Sequence, residues 1–150
     1  MPRFAIFLLL IASMSLLSLT SEASMQDPKQ PEGSVIAIHR GGGFVIPDQN
    51  PYAYYWFTLA KDGAWELKPL KGDSKKGKIA ADDVGNWVKE IKDGGFDKLK
   101  SNPALGAADE PFMDITIQAD NKKDQKRIPL EQKLAKALEK KIFELAKPGK

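Results

Sequence analysis

The chain has 150 residues, enough for one domain with its own hydrophobic core but too few for a multidomain protein. It contains no cysteine, which excludes disulfides, thiolate nucleophiles and cysteine-bound metal or iron–sulfur sites. Hydrophobic residues make up 42% and charged residues 29% of the chain, and the net charge is +3, a balance typical of a folded globular protein rather than a disordered one.

The first 23 residues have the pattern of a secretory signal peptide. Arg3 supplies a positive charge ahead of an apolar run over residues 4 to 19, and Ser21 and Ala23 place small residues at the −3 and −1 positions of a cleavage site. The apolar run contains serines and is shorter than the ~20 apolar residues of a membrane-spanning helix. We therefore predict cleavage after Ala23 and a mature protein that is secreted or periplasmic.

A short leader precedes the predicted domain. Residues 24 to 33 contain two prolines and few apolar side chains, which predicts a flexible segment. We predict a single α+β domain over residues 34 to 147. Its first strand is the β-branched run over residues 34 to 40, which ends at three consecutive glycines.

The aromatic run over residues 52 to 60 gives the strongest strand signal in the chain. If residues 61 to 63 form a type I turn with a glycine bulge, the core residues of this strand share one face with Trp65 and Leu67 of the next. A two-residue turn at Asp62 and Gly63 would instead place core residues and charged residues on the same face of the sheet, so we predict the longer turn. Residues 71 to 78, which follow, are predicted to be a basic loop.

Two helices and a second pair of strands complete the predicted domain. Apolar residues recur at helical spacing over residues 81 to 93, and Gly94 ends this helix. Residues 112 to 119 alternate as a half-buried strand, and a short strand is predicted near residues 126 to 128. Pro129 is predicted to open a second helix of about 17 residues.

The predicted order of elements is β-β-β-α-β-β-α, with hairpins rather than crossovers between neighbouring strands. This order predicts an α+β fold in which an antiparallel sheet of four to five strands has two helices packed on one face. The other face of such a sheet has no helix to cover it.

Three aromatic residues, Tyr52, Tyr54 and Trp56, alternate along the second strand on the side opposite Tyr55. If the helices cover only one face, this stripe is exposed and can stack on sugars or anchor a protein partner. The competing interpretation is that residues 44 to 47, the leader or a loop cover the stripe, or that its members only pair across strands.

Arg40 and the three glycines after it fit a backbone nest that binds an anion with help from the guanidinium, or a simple bend. His39 is the only histidine, so a metal site of histidines and cysteines is excluded, and we interpret it as an ordinary strand-end residue. Motifs for a serine nucleophile elbow, a phosphate-binding loop, a zinc helix and a calcium loop are absent from the sequence. We predict no metal and no cofactor.

Charged clusters leave two further hypotheses open. Asp109, Glu110 and Asp114 lie close in sequence, as the carboxylates of a small hydrolase do, although a solvated loop also explains them. Residues 122 to 150 are basic and could meet an anionic polymer, but lysine–glutamate pairs at helical spacing favour a solvated helix face. We therefore do not expect a nucleic acid as partner.

Several short motifs resemble those of uncharacterised small exported domains of bacteria. They are Arg-Gly-Gly-Gly at 40 to 43, Asp-Gly-Ala-Trp at 62 to 65, Gly-Lys-Ile-Ala at 77 to 80 and Asp-Glu-Pro at 109 to 111. The resemblance covers residues 34 to 130. It implies the fold and the export, and it carries no activity and no site residues.

The sequence thus predicts an exported, non-enzymatic binding or interaction domain. Its predicted binding residues are Tyr52, Tyr54, Trp56 and Arg40, and its predicted partner is an envelope protein or a glycan. The alternative is a small secreted hydrolase that uses carboxylates such as Asp109 and Asp114.

Overall fold

A computed structural model describes residues 33–44, 48–107, 109–119 and 121–147. The predicted signal peptide at residues 1 to 23 lies outside the described residues, as does the predicted leader except for Gly33. In the part of the chain that is described, none of the helices is long and apolar enough to cross a membrane.

The described residues form one antiparallel sheet and two α-helices, in the order β-β-β-β-α-β-β-α. The strands are β1 (Ser34–Gly41), β2 (Tyr55–Ala60), β3 (Ala64–Pro69), β4 (Lys75–Lys78), β5 (Phe112–Ala119) and β6 (Lys122–Pro129). The helices are α1 (Ala81–Asp93) and α2 (Lys133–Leu145), and a short 3-10 turn, Phe96–Lys98, follows α1. The strand order across the sheet is β4-β3-β2-β1-β5-β6.

The predicted α+β class, antiparallel sheet and pair of helices are confirmed, but the sheet has six strands rather than four to five. The additional strand is β4, which lies in the segment predicted to be a basic loop. Its lysines do not favour a strand, yet they suit a sheet edge because charged side chains there oppose pairing with other chains. Gly77 also suits its position, since a Cβ atom there would lie 2.5 Å from Cζ2 of Trp65.

The core lies between the helices and one face of the sheet. At its centre the Phe57 ring stacks on Trp87 of α1, with 5.5 Å between ring centroids, and on Trp65 of the neighbouring strand at 6.5 Å. The other strand residues that are less than 2% exposed on this face are Ile36, Ile38, Tyr55, Leu59, Leu67, Met113, Ile115 and Ile128. Burial of this many large apolar side chains is the main favourable term in the folding of the domain.

The predicted register of the first hairpin is confirmed. Leu59 pairs with Trp65 and Phe57 pairs with Leu67, as the longer turn requires. Gly63 donates its backbone N–H to the Ala60 carbonyl and has a φ of 87°, the left-handed conformation that the bulge requires.

The first helix has the predicted bounds, but the second begins later than predicted. Pro129 is the last residue of β6, where it pairs with Phe112, and α2 begins at Lys133 and has 13 residues. A proline can end an edge strand because the N–H that it lacks is not needed there. The same strand begins at Lys122, so it is longer than the short strand predicted near residues 126 to 128.

Candidate functional site

A row of side chains crosses the helix-free face of the sheet from β3 to β6. Strand pairing places Trp56 beside Lys68 and His39, His39 beside Asp114, and Asp114 beside Arg127. We call these five residues the cross-sheet row. They alternate with the core residues of the same strands, so their side chains leave the sheet on the side opposite the helices.

The Asp114 carboxylate forms a two-point ion pair with Arg127. Nε and Nη2 of Arg127 each donate to one carboxylate oxygen at 2.7 Å, and Nδ1 of His39 lies 3.6 Å from Oδ2. Burial raises the pKa of Asp114, but the hydrogen bonds from Arg127 and the nearby His39 outweigh it and hold the pKa below its usual range. Asp114 is therefore ionised at neutral pH, and both of its oxygens are occupied.

Arg127 also holds the loop before β5 against this face. Its Nη1 donates to the Leu105 carbonyl at 3.1 Å, its backbone N–H donates to Oγ of Ser101 at 2.9 Å, and its guanidinium lies 4.0 Å from the centre of the Phe112 ring. Asp114 and Thr116, which alternation alone leaves to solvent, are each only 6% exposed. The prediction of a half-buried β5 is therefore wrong. At Asp114 the physical reason is the ion pair with Arg127, whose guanidinium also binds the loop before β5.

His39 and Trp56 form a stacked pair in the middle of the row. Their rings are nearly parallel, with 2° between planes and 5.1 Å between centroids, and the edge of Phe112 approaches the imidazole at 5.6 Å. Nε1 of Trp56 is buried and has no hydrogen-bond acceptor among the described residues. One face of the indole is thus occupied by the imidazole, and only the rest of the side chain is available to a partner.

The predicted aromatic stripe does not form as one surface. Trp56 lies on the helix-free face as predicted, and Tyr54 donates its hydroxyl to the Gly43 carbonyl. Tyr52 instead packs edge-on against Phe143 of α2, at 5.3 Å between ring centroids, on the helix side. The placement predicted for Tyr52 is wrong because β2 begins only at Tyr55, so strand alternation does not extend back to residue 52.

Arg40 serves an internal role at the same end of the sheet. Its Nη1 donates to the carbonyls of Tyr52 and Ala53, and its Nε lies 3.0 Å from Oε1 of Glu139 on α2. These contacts join β1, the segment before β2 and the second helix. The Arg40 guanidinium is thus already bound within the protein, so it is not available to bind an anion at the predicted nest.

Two exposed apolar side chains flank Tyr54 at this end. Phe44 is 90% exposed and follows Gly43, whose carbonyl accepts the Tyr54 hydroxyl. Leu70 is 36% exposed, and its backbone N–H donates to the Tyr54 carbonyl. We call Phe44, Tyr54 and Leu70 the apolar rim. Among the described residues no other large hydrophobic side chain is exposed.

The position of Phe44 bears on the alternative in which residues 44 to 47 cover the aromatic stripe. Its exposed ring covers nothing, and residues 45 to 47 lie outside the described part of the chain. The glycines that precede Phe44 were the signal in the sequence that the chain leaves the strand before this ring. Gly42 and Gly43 both have left-handed backbones, with φ of 70° and 79°, and they turn the chain away from the strand direction.

The predicted carboxylate cluster is not brought together around an open cleft. Asp114 is 6% exposed and bound to Arg127, whereas Asp109 lies in the exposed loop with a φ of 57°. In the described ranges there is no group of three or more histidine, aspartate or glutamate side chains that could hold a metal ion.

The ion pair in the cross-sheet row was missed from the sequence, although the second hairpin contained a signal for it. Ala119 pairs with Lys122, which leaves a two-residue turn, and Asn121 in that turn has a φ of 60°. Counting back from such a turn places Asp114 directly opposite Arg127.

Comparison of the chain with protein-family models, curated proteins and solved structures finds no match. The site is therefore interpreted from its own geometry.

Proposed function

We propose that this chain is an exported, non-enzymatic binding domain that holds a protein partner on its apolar rim. The observation that carries the proposal is that both exposed large apolar side chains of the described residues, Phe44 and Leu70, flank Tyr54 at one end of the sheet. Phenylalanine and tyrosine are enriched in the cores of protein interfaces, where their rings leave water on binding.

Export is supported by the sequence alone. The charged start, the apolar run and the small residues at 21 and 23 form the pattern of a cleaved signal peptide. The absence of cysteine means that the exported domain depends on its core rather than on disulfides.

A protein partner is favoured over a glycan because few aromatic ring faces are free. A sugar stacks on an open ring face, but Trp56 already stacks on His39, and Tyr52 packs against Phe143. Phe44 has an accessible ring, but it is a single exposed ring among the described residues at this end, whereas a protein partner can also cover the neighbouring Leu70 side chain. The surface resembles the anchor of a protein interface more closely.

The hydrolase alternative has less support from the geometry. A general acid must hold a proton at the working pH, and the pKa of Asp114 is shifted in the opposite direction. The carboxylate is also nearly inaccessible, and each of its oxygens accepts a hydrogen bond from Arg127, so it is poorly placed to activate a water or contact a substrate.

The proposal is tested by placing a carboxylate in the rim. The mature chain, immobilised, is exposed to the exported proteins and, separately, to the cell-wall glycans of the source organism. We expect saturable binding of a protein that Phe44→Asp and Leu70→Asp each weaken at least tenfold. Gln118→Asp is the matched control, because it adds the same charge at an exposed position near the far end of β5.

The possible results separate the hypotheses. Binding that survives both rim variants would show that the partner uses another surface and would overturn the proposal. Saturable binding of a glycan but of no protein, weakened by the two rim variants, would assign the rim to sugar recognition and overturn the proposed protein partner. Hydrolysis of a glycan or peptide by the natural chain, lost in Asp114→Asn, would restore the hydrolase alternative.

A further inference from the structure

Strand β6 is one edge of the sheet, and part of its outer side is open. Arg127 donates its backbone N–H to Oγ of Ser101, and its carbonyl accepts the N–H of Asn102, so its backbone groups point away from β5. Backbone groups alternate between the two sides of an antiparallel strand, and the register of β6 with β5 is regular. The N–H and C=O groups of Lys123 and Gln125 therefore also point outward, and within the described ranges they have no hydrogen-bond partner.

The chain's own loop shows that the outer side of β6 accepts a neighbouring segment. This loop follows the 3-10 turn, and Ser101 and Asn102 bond to the backbone of Arg127 at 2.9 Å each. Residues 122 to 125 are all exposed, so the loop leaves them uncovered. We call the outer side of residues 122 to 125 the open edge.

The open edge carries positive charge that the described part of the chain does not neutralise. Residues 122 to 126 contain three lysines and one carboxylate, Asp124. Nζ of Lys126 donates to the Leu99 carbonyl at 2.9 Å, which brings the two loop lysines on either side of Leu99 close to β6. The exposed lysines here that form no ion pair with a described residue are Lys98, Lys100, Lys122 and Lys123.

The opposite edge of the sheet, β4, differs in length and in charge pairing. It has four residues, and Nζ of Lys76 and Nζ of Lys78 lie 3.4 Å and 3.2 Å from carboxylate oxygens of Glu66 and Asp62. Both edges contain lysines, so pairing the edges of two copies would bring like charges together. An acidic strand is the kind that the open edge attracts, because its carboxylates complement lysines that have no partner in the chain.

We propose that the open edge binds an extended acidic segment of another protein, which adds to the six-stranded sheet as one more strand. The backbone of the segment bonds to Lys123 and Gln125, and its carboxylates lie beside the lysines. This site is independent of the apolar rim. Lys122 lies at the hairpin end of β6, whereas the rim follows Gly41 at the opposite end of the sheet.

The test uses NMR on the isotopically labelled mature chain, with a synthetic peptide of about eight residues that alternates glutamate with threonine. We expect saturable binding between about 10 μM and about 1 mM peptide, weakened at least tenfold as salt rises from about 0.05 M to about 0.5 M. The amides of Lys123 and Gln125 should exchange hydrogen more slowly in the complex, whereas those of Lys76 and Lys78 should not change. Absence of binding, or slowed exchange at β4 instead of β6, would overturn the proposal.

Two control peptides separate backbone pairing from charge. In the first, methyl groups on alternate backbone nitrogens remove N–H donors that a strand needs but keep every carboxylate. In the second, lysine replaces glutamate. We expect both to bind at least tenfold more weakly than the acidic peptide. Equal binding of the methylated peptide would mean that this surface attracts polyanions of any kind, and equal binding of the basic peptide would remove the role of charge, so either result would overturn the proposal.

Two variants of the protein test the open edge directly. Gln125→Pro removes an outward N–H, and proline is tolerated on the outer side of an edge strand. Lys122→Glu/Lys123→Glu keeps the backbone groups and reverses the charge. We expect each variant to weaken binding of the acidic peptide at least tenfold, and the NMR spectrum of each verifies that it is folded.

A matched control makes the same charge change on the first hairpin. Lys61→Glu/Lys68→Glu replaces two exposed lysines that three strands of the sheet, β2, β1 and β5, separate from β6. We expect this variant to bind the acidic peptide as the natural chain does. An equal loss in this control, or unchanged binding in the folded open-edge variants, would place the contact elsewhere and overturn the assignment.

Discussion

The two faces of the sheet use the same strands for different purposes. On the helix side, alternate residues such as Ile38 and Phe57 are fully buried and apolar, and they hold the helices to the sheet. On the other side, their neighbours His39 and Trp56 form a stacked ring pair, and His39 lies beside the ion pair of Asp114 and Arg127. A loop covers this side only in part. One face supplies most of the stability, and the other face and its rim retain the surface for recognition.

The largest effect is expected where the helix side is most tightly packed. Phe57→Ala removes a ring that is fully buried between Trp65 and Trp87, so we expect the free energy of unfolding to fall by about 3 to 5 kcal/mol. Urea denaturation measures this loss. A loss below about 1 kcal/mol would mean that the helix layer is not packed as described.

The next effect tests the ion pair on the helix-free face. Asp114→Asn should lower the free energy of unfolding by about 2 kcal/mol at neutral pH, less than for a fully buried pair because the Arg127 side chain is 25% exposed. The folded-state pKa of Asp114 is lowered, so the stabilisation is present above the unfolded-state pKa and is lost as pH falls through the folded-state pKa.

The variant should therefore lose less stability than the natural chain between neutral pH and strongly acidic pH, as equilibrium denaturation across that range would show. Asp109→Asn is the matched control, because it makes the same chemical change in an exposed loop. If the free energy of unfolding of both variants falls with pH as steeply as that of the natural chain, the ion pair contributes nothing to acid sensitivity.

The difference between the faces also explains what the sequence could predict. The first hairpin and α1 were predictable because their signals are local. The alternation of core residues on either side of residues 61 to 63 allows only the longer turn and so fixes one register, and the apolar spacing before Gly94 fixes one helix. Strand β4 was missed because its lysines suit the sheet edge rather than a strand interior, and Pro129 resembled a helix start because proline is favoured at both kinds of boundary.

The helix-free face was harder to predict because its neighbours come from distant parts of the chain. His39 meets Asp114 only because β5 returns to pair with β1 after the first hairpin and α1 are complete. Local patterns do not determine that pairing. Trp56 was placed on the correct face because it belongs to a regular strand, whereas Tyr52 was not because it lies before the strand begins.

A smaller effect on stability is expected at Trp56, which lies on the helix-free face directly next to the core residue Phe57. Trp56→Ala removes the stacking partner of His39 from a half-buried position, so we expect a loss of about 1 kcal/mol in the free energy of unfolding. Phe57→Ala, one residue away on the other face, is the internal control. If the two variants proved equally damaging, the cross-sheet row would be a second core layer rather than part of a surface.

The smallest effect on stability should accompany the largest effect on binding. Phe44 is 90% exposed, so Phe44→Ala removes a ring that buries almost nothing in the free protein, and we expect the free energy of unfolding to change by less than about 0.5 kcal/mol. If the rim anchors a partner, the same ring is buried in the complex, and its loss should weaken binding at least tenfold, or about 1.4 kcal/mol. Thermal unfolding and titration calorimetry with the captured partner measure the two quantities on one variant. A variant that loses stability but keeps its affinity would reverse the roles assigned to the rim and the core, because Phe44 would then be packed in solution and unavailable to a partner.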